Sequence, residues 1–173
     1  MPARTKDEIR QKIADSASYR EDLEFIQEAL DGKDVFIGQL NADGDSGSEV
    51  MHCVTVGMFL YGLPEMVFTG VPVHMVKAVV SEFMEGHDFD RDFLAGKRSK
   101  IILGFNTIAV PVDAPATHEV LEISRDFYTL NDQPDFRATQ IVFADEHGAF
   151  PWSDGYSEQD RLMQPVLGMG TLN

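Results

Sequence analysis

The sequence predicts a single α+β domain, with a mixed or antiparallel sheet packed by helices and a helical segment at the N-terminus. The chain has 173 residues, which is an ordinary size for one domain. Apolar residues recur at helical spacing in some stretches and form short Val- and Thr-rich runs in others. No internal repeat or low-complexity linker divides the chain. Residues 1–33 are therefore predicted as a helical extension, and residues 34–173 as the α+β domain.

Two capping patterns predict successive helices near the N-terminus. Thr5 is followed three residues later by Glu8, and Ser18 is followed three residues later by Glu21. A hydroxyl at the first position and a carboxylate three residues on can satisfy the free N–H groups that begin a helix. Gly32 is expected to end the second helix in a left-handed conformation.

Strands and two further helices are predicted after residue 34. The predicted strands are Val35 to Leu40, Cys53 to Phe59, Glu65 to Thr69, Ile101 to Leu103, Thr107 to Val112 and Ala138 to Ala144. Pro111 indicates an edge position, because proline cannot donate a ladder hydrogen bond. One helix is expected from Pro72 to just before Gly86, and another from about Pro115 to Leu130. The chain after Ala144 is predicted to be mostly loop.

The charge of the chain excludes some classes of partner. There are 29 acidic and 14 basic residues, giving a formal charge of -15. Such a surface repels phosphate backbones and anionic lipid, so direct nucleic-acid binding and membrane binding are not expected. The charge suits a soluble protein. It also allows an alternative, a protein that mimics DNA towards a basic partner.

Features that the sequence lacks predict the cellular compartment and indicate that no cofactor is bound. Cys53 is the single cysteine, so an intrachain disulfide is excluded and a reducing compartment is expected. The N-terminus is charged, and no window approaches about 18 uncharged apolar residues. We therefore expect a cytoplasmic protein. No glycine-rich loop precedes a helix and a lysine, and no cofactor is expected.

The acidic stretch from Asn41 to Glu49 resembles a cation-binding loop only in part. Asp43 and Asp45 alternate as oxygen ligands would. An EF-hand starting at Asn41 would need Gly and Glu where the chain has Ser46 and His52. A solvated turn is the favoured interpretation, and no metal site is predicted.

Three other groupings have ordinary structural explanations. His52 and Cys53 could be a base and a nucleophile, but consecutive residues of a strand face opposite sides of a sheet. His118 and Glu122 are four residues apart on a predicted helix, where an exposed ion pair is expected. A solvated acidic loop is expected for the alternating carboxylates Asp88, Asp90 and Asp92.

The stretch from residue 140 to 168 is the most informative. It contains Trp152, the only tryptophan, and Tyr156, with His147 and Asp154 beside them. Aromatic side chains held by Pro and Gly in an irregular loop could line a small-molecule pocket. They could instead anchor the C-terminal segment to the sheet, and this interpretation is favoured. It predicts that Trp152 is largely buried.

Two segments resemble a known family. VTVGMFLYGLPEMVFTGVP (residues 54–72) and QIVFADEHGAFPWSDGY followed by QPVLG resemble the two hallmark blocks of domain-of-unknown-function family 4262, found in bacteria and phages. The family pattern runs YTVGL, PELVV-G, QVVWPD-G-FPW-GY and QPLL. Val54 stands where the family usually has Tyr, and Phe143 with Ala144 replaces a Trp and Pro pair. The resemblance implies a shared fold and little about activity.

The leading functional hypothesis is a non-enzymatic binding or regulatory module of bacterial or phage origin, acting through a protein or small-ligand surface. No nucleophile sits beside a base in a recognisable motif. A homo-oligomer is compatible with this hypothesis. The alternatives are a small hydrolase or metal-dependent enzyme, and an acidic DNA-mimic inhibitor of a host nucleic-acid enzyme. The candidate ligand-binding residues are Asp43, Asp45, His52, His147, Trp152, Asp154 and Tyr156.

Overall fold

A computed structural model describes residues 3–43, 49–85 and 88–167. The strands are β1 (Phe36–Asp43), β2 (Glu49–Val56), β3 (Glu65–Thr69), β4 (Ser99–Ile102), β5 (Phe105–Pro111) and β6 (Ala138–Phe143). The helices are α1 (Lys6–Asp15), α2 (Ala17–Asp31), α3 (Val73–Met84), α4 (Asp88–Leu94), α5 (Glu122–Leu130) and α6 (Glu158–Met163). No helix within these ranges has the length and apolar character needed to cross a membrane.

The strands form one mixed sheet in the order β1-β2-β3-β6-β5-β4. Neighbouring strands are antiparallel except β3 and β6, which run parallel. The predicted α+β class is therefore confirmed. In this topology the end of β3 lies beside the end of β6 and the beginning of β2. Thr69 is opposite His52 at this end of the strands.

Helices cover both faces of the sheet. On the first face, α3 and α4 contribute buried residues that pack with Cys53 and Phe68. On the second face, α2 and α5 pack over Val54 and Val67. Because Cys53 and Val54 are consecutive, β2 shows the alternation expected of a strand buried on both sides.

Several predicted element ends are wrong. The second helix is capped by Ser16, whose hydroxyl accepts from the N–H of Tyr19, and not by Ser18. Gly32 is right-handed at φ -75°, and Lys33 takes the left-handed conformation at φ 59°. The Thr5 capping box is present as predicted.

The region after residue 86 contains more helix than predicted. The segment with alternating aspartates is helix α4, and Asp90 is buried there against Lys100 with an Nζ to Oδ1 distance of 2.8 Å. The predicted helix from residue 115 begins only at Glu122, because His118 is extended between two short 3-10 turns. Helix α6 lies where loop was predicted.

Pro111 is at a local edge although β5 is an interior strand. β5 lies between β6 and β4, but its pairing with β4 extends only to Ile108. Pro111 pairs with Thr139 of β6 alone. Because Pro111 is not paired with β4, no ladder hydrogen bond on that side requires the N–H that proline lacks.

Ion pairs and a tyrosine hydrogen bond attach the N-terminal segment to α5. The buried carboxylate of Asp126 accepts hydrogen bonds from Arg4 Nη1 (2.8 Å) and from the Tyr19 hydroxyl (2.5 Å). Lys12 Nζ lies 3.1 Å from Glu122 Oε1. The N-terminal helices are thus held by charged contacts as well as by apolar packing.

A buried carboxylate joins β2, β3 and α5. Glu65 is 0% exposed and accepts hydrogen bonds from the Thr55 hydroxyl (2.6 Å), from the backbone N–H groups of Gly57 and Phe59 (both 3.0 Å), and from the Tyr128 hydroxyl. Burial raises the pKa of Glu65, because desolvation penalises its charged form, and the hydrogen bonds oppose that effect.

The hydroxyls around Glu65 are oriented as donors. The Thr55 oxygen accepts from the N–H of Met66 at 2.8 Å, and the Tyr128 oxygen accepts from the N–H of Gly57 at 3.0 Å. Both hydroxyl hydrogens are then free to point at the carboxylate. Gly57 is required here, because its φ is 120° and a Cβ would lie 2.4 Å from Leu30 Cδ2.

We predict that Glu65→Gln lowers the free energy of unfolding by roughly 3 kcal/mol, because the new amide brings donor hydrogens towards groups that already donate. Urea unfolding of the variant and the parent measures the difference. Glu28→Gln, an exposed change on α2, is the control and should leave the midpoint unchanged. Equal midpoints for Glu65→Gln and Glu28→Gln would contradict the role given to the buried carboxylate.

Candidate functional site

A cleft of about 590 Å³ lies between the aromatic loop at residues 151–156 and helix α6. Its wall combines aromatic, charged and amide side chains with backbone. The lining residues are Pro151, Trp152, Ser153, Asp154, Gly155, Tyr156, Glu158, Arg161, Gln164, Pro165 and Val166.

The turn before this loop is organised by Asp145. Its Oδ1 accepts the N–H groups of His147 (2.9 Å) and Ala149 (2.8 Å), and Gly148 has a φ of 80°. The chain thus turns between Asp145 and Gly148. This turn directs the chain out of β6 and into the aromatic loop.

The aromatic loop is held by short-range hydrogen bonds. The N–H of Ser153 donates to the carbonyl of Phe150 at 2.8 Å, and the N–H of Tyr156 donates to the carbonyl of Ser153 at 3.3 Å. Arg161 of α6 donates through Nε to the carbonyl of Pro151 at 3.0 Å. The loop is therefore fixed from within and from the opposite wall of the cleft.

Trp152 is exposed, which contradicts the prediction that it is buried. Its relative exposure is 37%, and its ring lies parallel to that of Phe150, with centroids 5.1 Å apart and an interplanar angle of 4°. Pro151 and Tyr156 are the buried members of the loop and perform the anchoring expected of Trp152. The indole is free to contact a ligand in the cleft.

Gln164 ties the floor of the cleft to the sheet. Its Oε1 accepts the N–H of Phe143 at 2.9 Å, and its Nε2 donates to the carbonyl of Phe143 at 2.9 Å and to the Tyr156 hydroxyl at 3.1 Å. The amide therefore bonds β6 as a neighbouring strand would. Sequence reasoning did not select Gln164, although it is the first residue of the QPVLG block.

The charged groups of the cleft are mostly acidic. Asp154 and Glu158 are exposed at its rim. Arg161 Nη1 lies 3.0 Å from Glu158 Oε1, so the one arginine of the lining is already engaged by a carboxylate and by the loop carbonyl. The cleft therefore offers an aromatic ring beside negative charge.

His52 belongs to a buried chain of hydrogen bonds beneath this region. Its Nδ1 lies 3.1 Å from Thr69 Oγ1, which also accepts from Gln140 Nε2 at 3.2 Å. Gln140 Nε2 donates in turn to the carbonyl of Pro165, a cleft residue, at 2.7 Å. Burial lowers the pKa of His52, because the charged imidazolium is desolvated.

The structure brings together only part of the predicted site. Trp152, Asp154 and Tyr156 line the cleft, whereas the side chain of His147 is 80% exposed and lies 3.6 Å from Glu146. His52 is buried and does not line the cleft. The backbone of Asp43 pairs with Glu49 at the end of β1. Asp45 lies outside the described residues.

The other sequence groupings make structural contacts. Cys53 is fully buried with Sγ 3.5 Å from the carbonyl of Val71, and burial raises the pKa of its thiol. His118 contacts the carbonyl of Asp113, and Glu122 contacts basic residues of the N-terminal segment. Within residues 3–43, 49–85 and 88–167, no three His, Cys, Asp or Glu side chains are grouped as metal ligands.

We predict that His52 makes stability pH-dependent. Its folded pKa is lowered, so the unfolded state binds more protons, and the stability that neutral His52 contributes is lost as pH falls below about 6.5, the unfolded value. Chemical unfolding between about pH 7.5 and 5 should show a steeper loss for the parent than for His52→Gln. His74→Gln, an exposed change on α3, should follow the parent. Parallel profiles for all three proteins would contradict the assignment.

Comparison with known proteins identifies the family. The model of the domain of unknown function DUF4262 matches residues 37–157. No curated protein and no solved structure matches the chain. The matched range contains the sheet and the aromatic loop, while α1 and α2 precede it and α6 follows it. Since the match covers more than half of the sequence, the chain belongs to the DUF4262 family.

Proposed function

We propose that this protein is a non-enzymatic binding module that holds a positively charged group, from a small ligand or a peptide side chain, in the cleft beside Trp152. The observation that carries the proposal is the exposed, fixed indole. A tryptophan that lines a cleft on a hydrogen-bonded loop is available for contact without first being ordered.

The rigidity of the cleft supports binding. Phe150 covers one side of the Trp152 ring, and Arg161 and Gln164 fix the loop to α6 and β6. A ligand therefore meets a surface whose conformational entropy has already been lost on folding. Preorganisation of this kind favours affinity from few contacts.

The charges favour a cation. An indole attracts cations through its π face, with a gain of about 0.5 to 2 kcal/mol according to desolvation. Asp154 adds negative charge at the rim, where Glu158 is paired with Arg161, and the whole chain has a formal charge of -15. An anionic ligand would be repelled by the rim carboxylate and by the negative charge of the whole chain.

The enzymatic alternative receives less support from this cleft. His52 and His147, the two histidines among the candidate residues, do not line it. The activity that we propose is therefore binding without chemistry.

We also propose that residues 1–33 are an extension to the family domain at residues 34–173. The family match begins at residue 37. Arg4 and Lys12 attach the extension to α5 through ion pairs, and α2 also packs over Val54 and Val67 of the sheet.

We predict that choline and N-acetyl-arginine amide change the fluorescence of Trp152, the only tryptophan, and that their neutral isosteres 3,3-dimethylbutan-1-ol and N-acetyl-citrulline amide do not. Asp154→Asn should weaken binding of both cations, because it removes rim charge. Asp160→Asn, an exposed change on α6 outside the lining, is the matched control. Equal responses to cations and neutral isosteres would reject cation recognition, and no response to any probe would reject the cleft as the site.

A second prediction separates binding from stability at Trp152. Because the ring is exposed, Trp152→Ala should lower the free energy of unfolding by only about 1 kcal/mol. Calorimetric titration with N-acetyl-arginine amide should show loss of binding in the same variant. A loss of stability as large as that of a buried aromatic, about 3 to 5 kcal/mol, would return Trp152 to an anchoring role.

A further inference from the structure

Within the part of the chain that the structure describes, β1 is an edge strand without the usual protection. It lies at one end of the sheet order and pairs with β2 over eight consecutive residue pairs without a bulge. Its first seven residues, FIGQLNA, contain neither proline nor charge. Natural edge strands are commonly shortened, charged or bulged, because a free edge can pair with another chain. The opposite edge, β4, has only four residues, one of which is Lys100.

A groove of about 340 Å³ runs beside the same strand. Five consecutive residues of β1 line it, together with Val54 of β2 and residues of α2 and the start of α5. Gly38 pairs with Val54, and the ring of Phe36 lies over it, with Cε1 2.9 Å from the position that a Cβ would take. The remaining lining residues are Tyr19, Asp22, Glu119, Val120, Glu122 and Ile123.

The groove has an apolar floor and an acidic rim. Val54 and Val120 are buried there, while Asp22 and Glu119 are exposed. This combination fits a lysine or arginine side chain, whose apolar stem can lie on the floor while its charged end reaches the carboxylates. A second copy of the chain would bring like charges together and is disfavoured.

We infer that β1 accepts an extended, basic segment of a partner protein as an added strand, with a lysine or arginine side chain in the groove. Main-chain hydrogen bonds to a free edge supply affinity in this mode of recognition, and pockets for alternate side chains supply specificity. None of the residues that line this groove lines the Trp152 cleft, so the two surfaces are separate.

The test uses fluorescence anisotropy with the fluorescein-labelled peptide Thr-Val-Lys-Val-Lys-Val-Thr and the full chain. Two control peptides carry N-methyl groups on alternate amides, one along each edge of the extended peptide. Strand addition predicts that one of them binds and the other does not, because only one edge faces β1. A third control replaces both lysines by glutamate and should not bind.

Charge reversal on α2 tests the acidic rim. Asp22→Lys should weaken binding of the lysine peptide by at least about fivefold, whereas Glu21→Lys, an exposed neighbour outside the groove with the same change in net charge, should have a smaller effect. Trp152→Ala should leave the affinity for the peptide unchanged. The measured affinity for the peptide would then support strand addition even if the cleft at Trp152 binds no cation.

Four results would overturn the inference. One is no binding of the lysine peptide at about 1 mM protein. Another is equal binding of both N-methylated peptides. A third is loss of binding in Trp152→Ala, which would locate the peptide in the cleft. The last is sedimentation of the free protein as a dimer that the peptide dissociates, which would make a second copy the occupant.

Discussion

The buried carboxylate of Glu65 is the constraint on which the centre of the structure depends. A buried carboxyl group must be hydrogen-bonded, and five donors from β2, the following turn and α5 meet that demand. The arrangement fixes how β2 returns into β3 and where α5 lies over the sheet. β3 then pairs in parallel with β6, which brings Thr69 to the end of the strands that lies beside the cleft.

Gln164 has a comparable role at that end of the strands. It bonds both backbone groups of Phe143, and through Tyr156 it also fixes the aromatic loop. Beneath it, Gln140 joins His52 and Thr69 to the backbone of Pro165. The cleft therefore rests on interior hydrogen bonds, and this explains how an exposed Trp152 can be held in place. The candidate site is an extension of the buried polar network.

Sequence patterns predicted the elements whose bounds depend on the spacing of neighbouring residues along the chain. Periodicity gave the bounds of β3 correctly and gave α3 to within one or two residues at each end. Alternating aspartates concealed α4, because the burial of Asp90 against Lys100 depends on a contact ten residues away. The same limit applies to the site. The sequence located the aromatic loop, but which aromatic is buried depends on how α6 and Gln164 pack, and the role of Glu65 depends on Tyr128, 63 residues further along the chain.

The proposed function requires a preformed cleft at Trp152 that binds a cation. The most direct measurement is backbone and indole N–H chemical-shift mapping by NMR during titration with N-acetyl-arginine amide. We expect shifts confined to the indole N–H of Trp152 and the amides of residues 152–164 and Val166, with the remaining amides unmoved because no rearrangement is needed. Shifts centred on His147 or on β1, or changes spread across the whole sheet, would contradict the proposed function.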